Sequence, residues 1–206
     1  MILNQEFYLR RDVLSVAKDL LGKLIVSEVN GIRTESIIVE TEAYRAPEDK
    51  GSHAHGNRRT QRTEVIFGQG GCSYVYLCYG IHQMFNVVTS VEGEAHAVLV
   101  RAVEPQDGID QMMSRRKLKD LSVQLTNGPG KLTQALGINK RHNGLPLWNE
   151  KSGVHIWDIG QSLDQEEIVT GPRVGIAYAQ EWANRPWRYR IKGNKWTSKP
   201  DVVVYH

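Results

Sequence analysis

The stretch KLIVSEVNGIRTESIIVETEAY, residues 23–44, decides the fold. Residues 23–29 have the apolar, β-branched composition of a strand, and residues 32–44 have that of a return strand. Between them lies Asn30-Gly31, a pair that favours the type I′ turn of a tight β-hairpin because both positions need a positive φ. The stretch therefore predicts a long hairpin, and with it an antiparallel sheet, as the framework of the protein.

Five more segments have the composition of strands. They are CSYVYLC at 72–78, MFNVVTS at 84–90, AHAVLVRAVEP at 95–105, RVGIAYA at 173–179 and WRYRIKG at 187–193. The first two join at a tight turn at Tyr79-Gly80 and form a second predicted hairpin.

Three segments predict helices, at residues 13–21, 107–119 and 132–138. Asp12 can cap the first, whose apolar residues keep helical spacing until Gly22 stops it. NGPGK opens the third and puts Pro129 in its first turn. With no internal repeat and no change of composition that would mark a linker, we predict one α+β domain spanning residues 1–206.

Composition indicates an ordinary globular protein. The 206 residues are 40% hydrophobic and 24% charged. No apolar run is long enough for a membrane helix, and the start, MILNQEFYLRRDVL, lacks the apolar core of a signal peptide. Cys72 and Cys78 form no disulfide or zinc framework, so we expect small packed side chains there. A cytoplasmic location is predicted.

The formal net charge of +3 is mild, but basic residues cluster in two places. One cluster comprises Arg45, Lys50, Arg58, Arg59 and Arg62; the other comprises Arg185, Arg188, Arg190, Lys192, Lys195 and Lys199, interleaved with Trp182, Trp187, Tyr189 and Trp196. Such clusters can suit a polyanion, although a solvated face is the commoner explanation of any one of them.

Two glutamates stand near the end of the return strand. Side chains alternate along a strand, so Glu40, Glu42 and Tyr44 share one face, which leaves Val39 and Ala43 on the other. Because those two apolar residues suit a core, the residues alone favour glutamates on a solvent-exposed face. The alternative is a carboxylate that acts as general base on a water, and spacing does not choose between the two glutamates.

His53 and His55 lie in a stretch, residues 45–71, with little periodicity and much Gly and Arg. Loops of that length are usually functional or disordered. The two histidines could form a metal-binding pair with a glutamate as third ligand. That is the weaker interpretation, because loop histidines are more often hydrogen-bonded or solvated.

SYVYLCYGIHQMFN, residues 73–86, contains three tyrosines. Tyr74 and Tyr76 share a strand face, where packing within the sheet competes with a functional role. Tyr79 falls at the predicted turn, where an aromatic has little intrinsic preference. It either folds back over its own hairpin or is an exposed wedge that inserts between bases from the minor groove.

Lys131 lies in NGPGKLTQALGI, residues 127–138, which is similar to a glycine-rich helix start that receives a phosphate. The spacing is not that of a Walker A loop, so no nucleoside-triphosphate site is predicted. A capped helix is the favoured interpretation, and a role for Lys131 is left open.

Five motifs occur together and in order along nearly the whole chain. They are VETEAYRAPEDKGSHAHG, SYVYLCYGIHQMFNVV, RAVEP, NGPGKLTQALGI and RVGIAYAQEWANRPWRY. In this combination the chain resembles the alkyladenine (3-methyladenine) DNA glycosylase family. The resemblance implies a single α+β domain with a curved, partly open, barrel-like antiparallel sheet, surrounding helices and a protruding β-hairpin around Tyr79.

The resemblance also implies an activity and its residues. The family hydrolyses the N-glycosidic bond of alkylated or deaminated purines in base-excision repair, without a metal, a cofactor or a Schiff-base lysine. Glu42, two residues before a tyrosine, matches the family's catalytic base, and Arg101 matches the arginine that helps to place the water. The base-binding residues are implied to be Tyr44, His53 and Tyr76, which stack on the flipped base, and Asn86, which crowds the 2-amino group of guanine; Tyr79 fills the gap in the duplex.

Small departures from the vertebrate pattern touch the implied pocket. Gly51-Ser52 precede His53 where vertebrate members have two alanines, and Ile81 follows the Tyr79-Gly80 turn where they have a methionine. The order of preference among 3-methyladenine, 7-methylguanine, hypoxanthine and ethenoadenine therefore carries over least. The chain also begins close to its first helix, without the long polar extension of vertebrate members, as expected of a compact bacterial form.

Three rival functions remain at this stage. One is a metal-dependent hydrolase built on His53, His55 and Glu42, the second is a non-catalytic binder of damaged DNA, and the third is a glycosylase with lyase activity through Lys131. The favoured prediction is a monomeric, monofunctional glycosylase whose partner is double-stranded DNA with damaged purines, with no membrane association and a nucleoid-associated cytoplasmic location.

Overall fold

The hairpin predicted from residues 23–44 is present. The structure, a computed structural model, describes residues 1–198. Strand β1 spans Leu24–Val29, and β2 spans Ile32–Arg45 and pairs with it antiparallel. Asn30 and Gly31 have φ values of 55° and 74°, as the predicted type I′ turn requires.

The remaining strands and helices surround this hairpin. The strands are β3 (Ser73–Cys78), β4 (His82–Thr89), β5 (His96–Asp107), β6 (Val154–Trp157), β7 (Ile168–Gly171) and β8 (Arg188–Ile191). The helices are α1 (Gln5–Tyr8), α2 (Val13–Asp19), α3 (Ile109–Arg116) and α4 (Pro129–Leu136). The three predicted helices are confirmed as α2, α3 and α4. The Asp12 side chain accepts a hydrogen bond from the Leu14 N–H, and Pro129 begins α4.

All strands pair antiparallel in one curled sheet. Its order is β3-β4-β5-β2-β1-β6, and β8 joins the far part of β2 at residues 40–42 while β7 pairs with β8. Strand β2 therefore lies at the centre, with β5 along one edge and β1 and β8 sharing the other. This half-barrel with helices on it confirms the predicted α+β class. Residues 199–206 lie outside the described residues, so the predicted domain end at 206 stays a prediction.

One predicted strand is wrong and two were missed. Residues 173–179 form bends and then part of a 3₁₀ helix, Ala177–Trp182, instead of a strand. The reason is that Gly175 turns the chain with a φ of 77°, and the Val174 N–H donates to a side chain, not to a neighbouring strand. Strands β6 and β7 have four residues each, too few for a clear alternation.

Two apolar clusters hold these elements. The larger lies between the sheet and helices α2 to α4, and it includes Val39 and Ala43 of β2, as predicted. The smaller fills the space under the long loop with residues such as Ala54, Ile66 and Phe67, so residues 45–71 form a packed, ordered loop. No described helix is long and apolar enough to cross a membrane.

The two cysteines differ from expectation. Both Cys72 and Cys78 are free thiols, but each is partly exposed instead of packed in the core. Cys78 lies at the end of β3, at the mouth of the cavity described below.

Candidate active site

Irregular pairing between β2 and β5 brings three charged side chains together. Ile38 lies opposite Val103, Glu40 opposite Ala102 and Thr41 opposite Val100, so Val39 and Arg101 each lack a residue opposite them. Such bulges bend the strands and re-aim side chains. As a result the Arg101 guanidinium contacts the carboxylates of both glutamates of β2.

Glu40 is completely buried in an ion-paired network. Its Oε1 accepts hydrogen bonds from Arg188 Nε at 2.7 Å and Arg101 Nε at 3.2 Å, and Oε2 accepts from the Ser198 N–H at 2.6 Å. Burial by itself raises the pKa of Glu40, but the two guanidinium groups and the bonds from Ser198 outweigh it and hold the pKa below its usual value. Glu40 is therefore a charged anchor between β2, β5 and β8.

Glu42 is equally buried but has different partners. Its Oε2 accepts a 2.7 Å hydrogen bond from the Tyr44 hydroxyl, and its Oε1 accepts a 2.8 Å bond from the Val174 N–H. Arg101 Nη1 lies 3.3 Å from Oε1. The interpretation of both glutamates as residues of a solvent-exposed face is wrong, because both side chains are completely buried. Arg188 and Ser198 lie against Glu40, and Tyr44 and the segment around Val174 lie against Glu42.

A cavity of about 450 Å³ opens in front of this network. Six of the seven residues predicted for the site line it: Tyr44, His53, Tyr76, Tyr79, Asn86 and Arg101. The seventh, Glu42, lies behind the wall. It accepts hydrogen bonds from the lining residues Tyr44 and Val174 and forms an ion pair with a third, Arg101. The structure thus brings all the predicted site residues to one place.

An aromatic cluster forms one wall of the cavity. The His53 ring meets the Tyr76 ring edge-on at a centroid distance of 4.7 Å, and Tyr74 lies 5.2 Å from Tyr76. Asn86 is held beside them by a 3.0 Å hydrogen bond from its Nδ2 to the Tyr74 carbonyl. Tyr74 is therefore both packed in the smaller core cluster and part of the wall.

His53 is held as a neutral imidazole of one tautomer. Burial and then the charge of Arg62 lower the pKa of His53 to about 4. Arg62 Nη2 lies 3.3 Å from His53 Nε2, and since a guanidinium only donates, Nε2 is the acceptor. The proton is then on Nδ1, which donates to the Tyr74 hydroxyl at 3.0 Å.

The hairpin of β3 and β4 presents an exposed apolar tip beside the cavity. Tyr79 and Gly80 form its turn with φ values of 50° and 73°. The Tyr79 side chain is 89% exposed, and Ile81 is also exposed. The interpretation that Tyr79 folds back over its own hairpin is therefore wrong. Large apolar side chains at such a tip are typical of a binding surface.

Two site residues escaped the sequence reasoning. Arg173 and Asp49 form a fully buried bidentate ion pair, with distances of 2.5 and 2.7 Å. Arg173 also donates to the Ala43 carbonyl and lies 4.6 Å from the centre of the Tyr44 ring. The pair ties the long loop to the segment that contacts Glu42. No local signal could have paired residues so far apart in the chain.

The same pair explains why residue 51 is a glycine in this chain. A Cβ added at Gly51 would lie 3.0 Å from Arg173 Nη2 and 3.1 Å from Asp49 Oδ1. The loop therefore passes close against the ion pair just before it delivers His53 to the cavity.

The alternative uses of histidine and lysine receive no support from the geometry. His55 Nδ1 lies 2.9 Å from the Pro47 carbonyl while His53 contacts Tyr74, and in residues 1–198 no group of three His, Cys, Asp or Glu side chains could hold a metal ion. Lys131 Nζ donates to the side-chain oxygens of Gln124 and Asn127, and Lys131 does not line the cavity.

The two basic clusters have different surroundings. In the long loop, Arg58, Arg59 and Arg62 are exposed, and Arg62 lines the cavity. In the second cluster, Arg188 and its aromatic neighbours Trp187, Tyr189 and Trp196 are buried, so that part serves the core. Lys199 lies outside the described residues.

Residues 6–195 match a family model described as methylpurine-DNA glycosylase. The chain belongs to the methylpurine-DNA glycosylase family. Relatives assigned as 3-methyladenine DNA glycosylases cover nearly the full chain. The protein of Clostridium botulinum is 46% identical, over 97% of this chain and 100% of its own length. The protein of Chlamydia felis is 44% identical, over 94% of this chain and 98% of its own length. The protein of Desulfitobacterium hafniense is 45% identical, over 95% of this chain and 98% of its own length.

Membership of the methylpurine-DNA glycosylase family makes this protein a DNA glycosylase of DNA repair, as its motifs predicted. Both Tyr79 of the exposed tip and Arg62 of the long loop line the cavity.

Proposed function

We propose that this protein extrudes alkylated or deaminated purines from duplex DNA and hydrolyses their N-glycosidic bond with a water activated by Glu42. One observation carries the proposal: the buried Glu42 carboxylate is connected to two lining residues of the cavity, by a hydrogen bond from Tyr44 and an ion pair with Arg101. A buried carboxylate connected in this way to an aromatic cavity suits abstraction of a proton from a water beside a bound purine.

The aromatic lining of the cavity supports base extrusion. A purine in a duplex hides its glycosidic bond, so an enzyme that cleaves it must flip the nucleotide out, at a cost of a few kcal/mol that damage reduces. Stacking on aromatic rings returns about 1–3 kcal/mol per base and accepts many purines. Tyr44, His53 and Tyr76 are the proposed stacking walls, and Asn86 beside them is the proposed barrier to guanine.

The proposed chemistry assigns the proton transfer to Glu42, whose carboxylate lies directly behind Tyr44 and Arg101 of the cavity wall. The oxygen of a water bonds to C1′ while the C1′–N9 bond breaks, and its electron pair leaves with the purine. The carboxylate takes the proton of the water and stabilises the oxocarbenium-like transition state. Arg101, which contacts Glu42 and lines the cavity, is proposed to hold that water.

Tyr79 is the proposed wedge that fills the gap left in the duplex. Replacing Tyr79 by Ala should weaken binding of lesion DNA and slow base release by about ten- to a hundredfold, because the stacking of one ring on bases is lost. The fold should be unaffected, since the side chain is exposed. Binding titrations with a duplex that contains hypoxanthine measure the effect.

The matched control is Ile32→Ala, which removes an exposed apolar side chain that does not line the cavity. It should leave binding and rate unchanged. A Tyr79→Ala protein as active as the Ile32→Ala protein would remove the wedge from the proposal.

The proposed enzyme is monofunctional, monomeric and independent of a cofactor. A lyase step needs a lysine amine beside C1′, and Lys131 is hydrogen-bonded outside the cavity. The proposed partner of the enzyme is duplex DNA with damaged purines, and one protein chain binds one lesion. A damage binder without activity is the rival that experiment must exclude.

Single-turnover base release in EDTA tests the proposal. Duplexes carry one hypoxanthine, ethenoadenine or 7-methylguanine, and we expect the wild-type protein to release the base and leave an uncleaved abasic strand. Loss of activity in EDTA would indicate the metal-dependent hydrolase. Strand cleavage or a borohydride-trapped adduct would indicate the lyase, and tight binding without base release would indicate the non-catalytic damage binder.

A further inference from the structure

Arg62 is an exposed arginine that reaches the aromatic wall of the cavity. Its guanidinium carbon lies 4.5 Å from the centre of the Tyr76 ring. Its Nε donates to the Tyr74 hydroxyl at 3.3 Å, and its Nη2 donates to His53 at 3.3 Å. Three residues of the wall therefore hold this guanidinium against the space proposed for the base.

The charge of Arg62 has no nearby counter-charge in the part of the chain that the structure describes. Among residues 1–198 no carboxylate lies within 4 Å of Arg62. The described lining holds one other charged side chain, Arg101, and that guanidinium is paired with Glu40 and Glu42. The wall of the cavity therefore carries a net positive charge at Arg62.

We propose that Arg62 sets the lesion preference of this enzyme, favouring purines that are neutral in DNA over purines that carry a positive charge from N-alkylation. The inference rests on the proposed function, and it names the substrate class that the same cavity prefers. Hypoxanthine and ethenoadenine belong to the favoured class, and 7-methylguanine belongs to the disfavoured one.

The reason lies in how charge changes during cleavage. When the glycosidic bond of a neutral purine breaks, the electron pair makes the leaving base negative, and a guanidinium nearby stabilises it. A cationic purine becomes neutral on leaving and carries residual positive charge until then, which the same guanidinium repels. Electron-rich tyrosine faces attract a cationic base, but the charge of Arg62, 4.5 Å from the centre of the Tyr76 ring, offsets that attraction.

A neighbour of Arg62 already shows the effect of this charge. The pKa of His53 is lowered by burial and, in second place, by Arg62. Since the ring N–H of His53 is donated to Tyr74, the imidazole has no second N–H for the leaving base. Arg62 is therefore the cation of the aromatic wall that can stabilise the negative charge of the leaving base.

The test compares kmax/K1/2 for base release from duplexes that carry one hypoxanthine or one 7-methylguanine. This quantity relates the transition state to free enzyme and free DNA, so it includes both binding and chemistry. Arg62→Gln should lower the ratio of the hypoxanthine value to the 7-methylguanine value by about three- to tenfold, as expected for one partly solvated charge. Arg62→Lys keeps the charge and should keep most of the ratio.

The matched control is Arg59→Gln, which removes the same charge from the same loop. Arg59 is paired with Glu64 at 3.0 Å and does not line the cavity. Its loss should lower both values together through weaker DNA binding and leave the ratio as in the wild type.

The outcomes separate this inference from the proposed function. If the wild type releases neither base, the proposed function fails. If it releases both bases, two results would overturn the assignment of preference to the Arg62 charge. One is a hypoxanthine to 7-methylguanine ratio that is equal in the wild type and Arg62→Gln. The other is a ratio that falls as much in Arg59→Gln or in Arg62→Lys as in Arg62→Gln. A ratio that falls in Arg62→Gln alone supports it.

Discussion

Glutamine in place of Glu42 is expected to lower the single-turnover rate of base release by about 10²- to 10⁴-fold, which is the usual contribution of a general base. The amide accepts no proton from water and offers no negative charge to the oxocarbenium-like transition state. It still accepts a hydrogen bond from the Tyr44 hydroxyl, so the wall of the cavity should persist. Lesion binding should stay close to that of the wild type, as measured by titration and single-turnover release on the same duplexes.

The matched control is Glu40→Gln, the same change two residues earlier on the same strand face. Glu40 holds Arg101, Arg188 and Ser198, so its charge serves the packing of β8 on β2. We expect the Glu40 variant to unfold at lower urea concentration while its folded fraction loses less activity than the Glu42 variant. Equal losses of rate in the two folded proteins, or a wild-type rate in Glu42→Gln, would show that the base is not Glu42.

Alanine in place of Asp49 is expected to lower the free energy of unfolding by about 3–5 kcal/mol, the range for removing one partner of a buried ion pair. It leaves the Arg173 guanidinium buried without its counter-ion, although the bonds to the Ala43 and Trp182 carbonyls remain. Urea unfolding at constant m value measures the change. Activity should also fall, because Arg173 packs on Tyr44 beside the segment that contacts Glu42.

An exposed pair supplies the control for Asp49→Ala. Glu64 contacts Arg59 at 3.0 Å, and both side chains are more than half exposed. Glu64→Ala should change the free energy of unfolding by no more than about 1 kcal/mol, because water already screens this pair. If the two variants were equally stable, Arg173 would have to gain solvent by local opening, and the pair would not hold the wall.

Local features of the chain were predictable because their physics is local. Asn30-Gly31 forms the expected turn since each residue tolerates a positive φ. Asp12 and Pro129 mark the starts of helices through a side-chain hydrogen bond and a preset φ. Residues 173–179 failed as a strand because composition cannot show that the Val174 N–H bonds to Glu42, which is distant in sequence.

The site itself was predicted unevenly. Alternation along β2 put Glu40 and Glu42 on one face, and both do contact Arg101. The exposure of that face was predicted wrongly, because Val174, Arg188 and Ser198, from the other end of the chain, contact the two glutamates and bury them. Motif resemblance selected Glu42, and that choice stays a proposal. The partners of the two glutamates differ in place, because Tyr44 and Val174, bonded to Glu42, line the cavity, whereas Arg188 and Ser198, bonded to Glu40, do not.

The sequence by itself determined the central hairpin, helices α2 to α4, the α+β class and, through five motifs in order, the family and its expected site residues; helix α1 was missed. Only the tertiary structure decided which charges are buried and which remain uncompensated. It paired Asp49 with Arg173, and within residues 1–198 it placed Arg62 on the wall of the cavity with no carboxylate in contact. The reason is that electrostatic free energy depends on distance in space and on exclusion of water, and neither can be read from order along the chain.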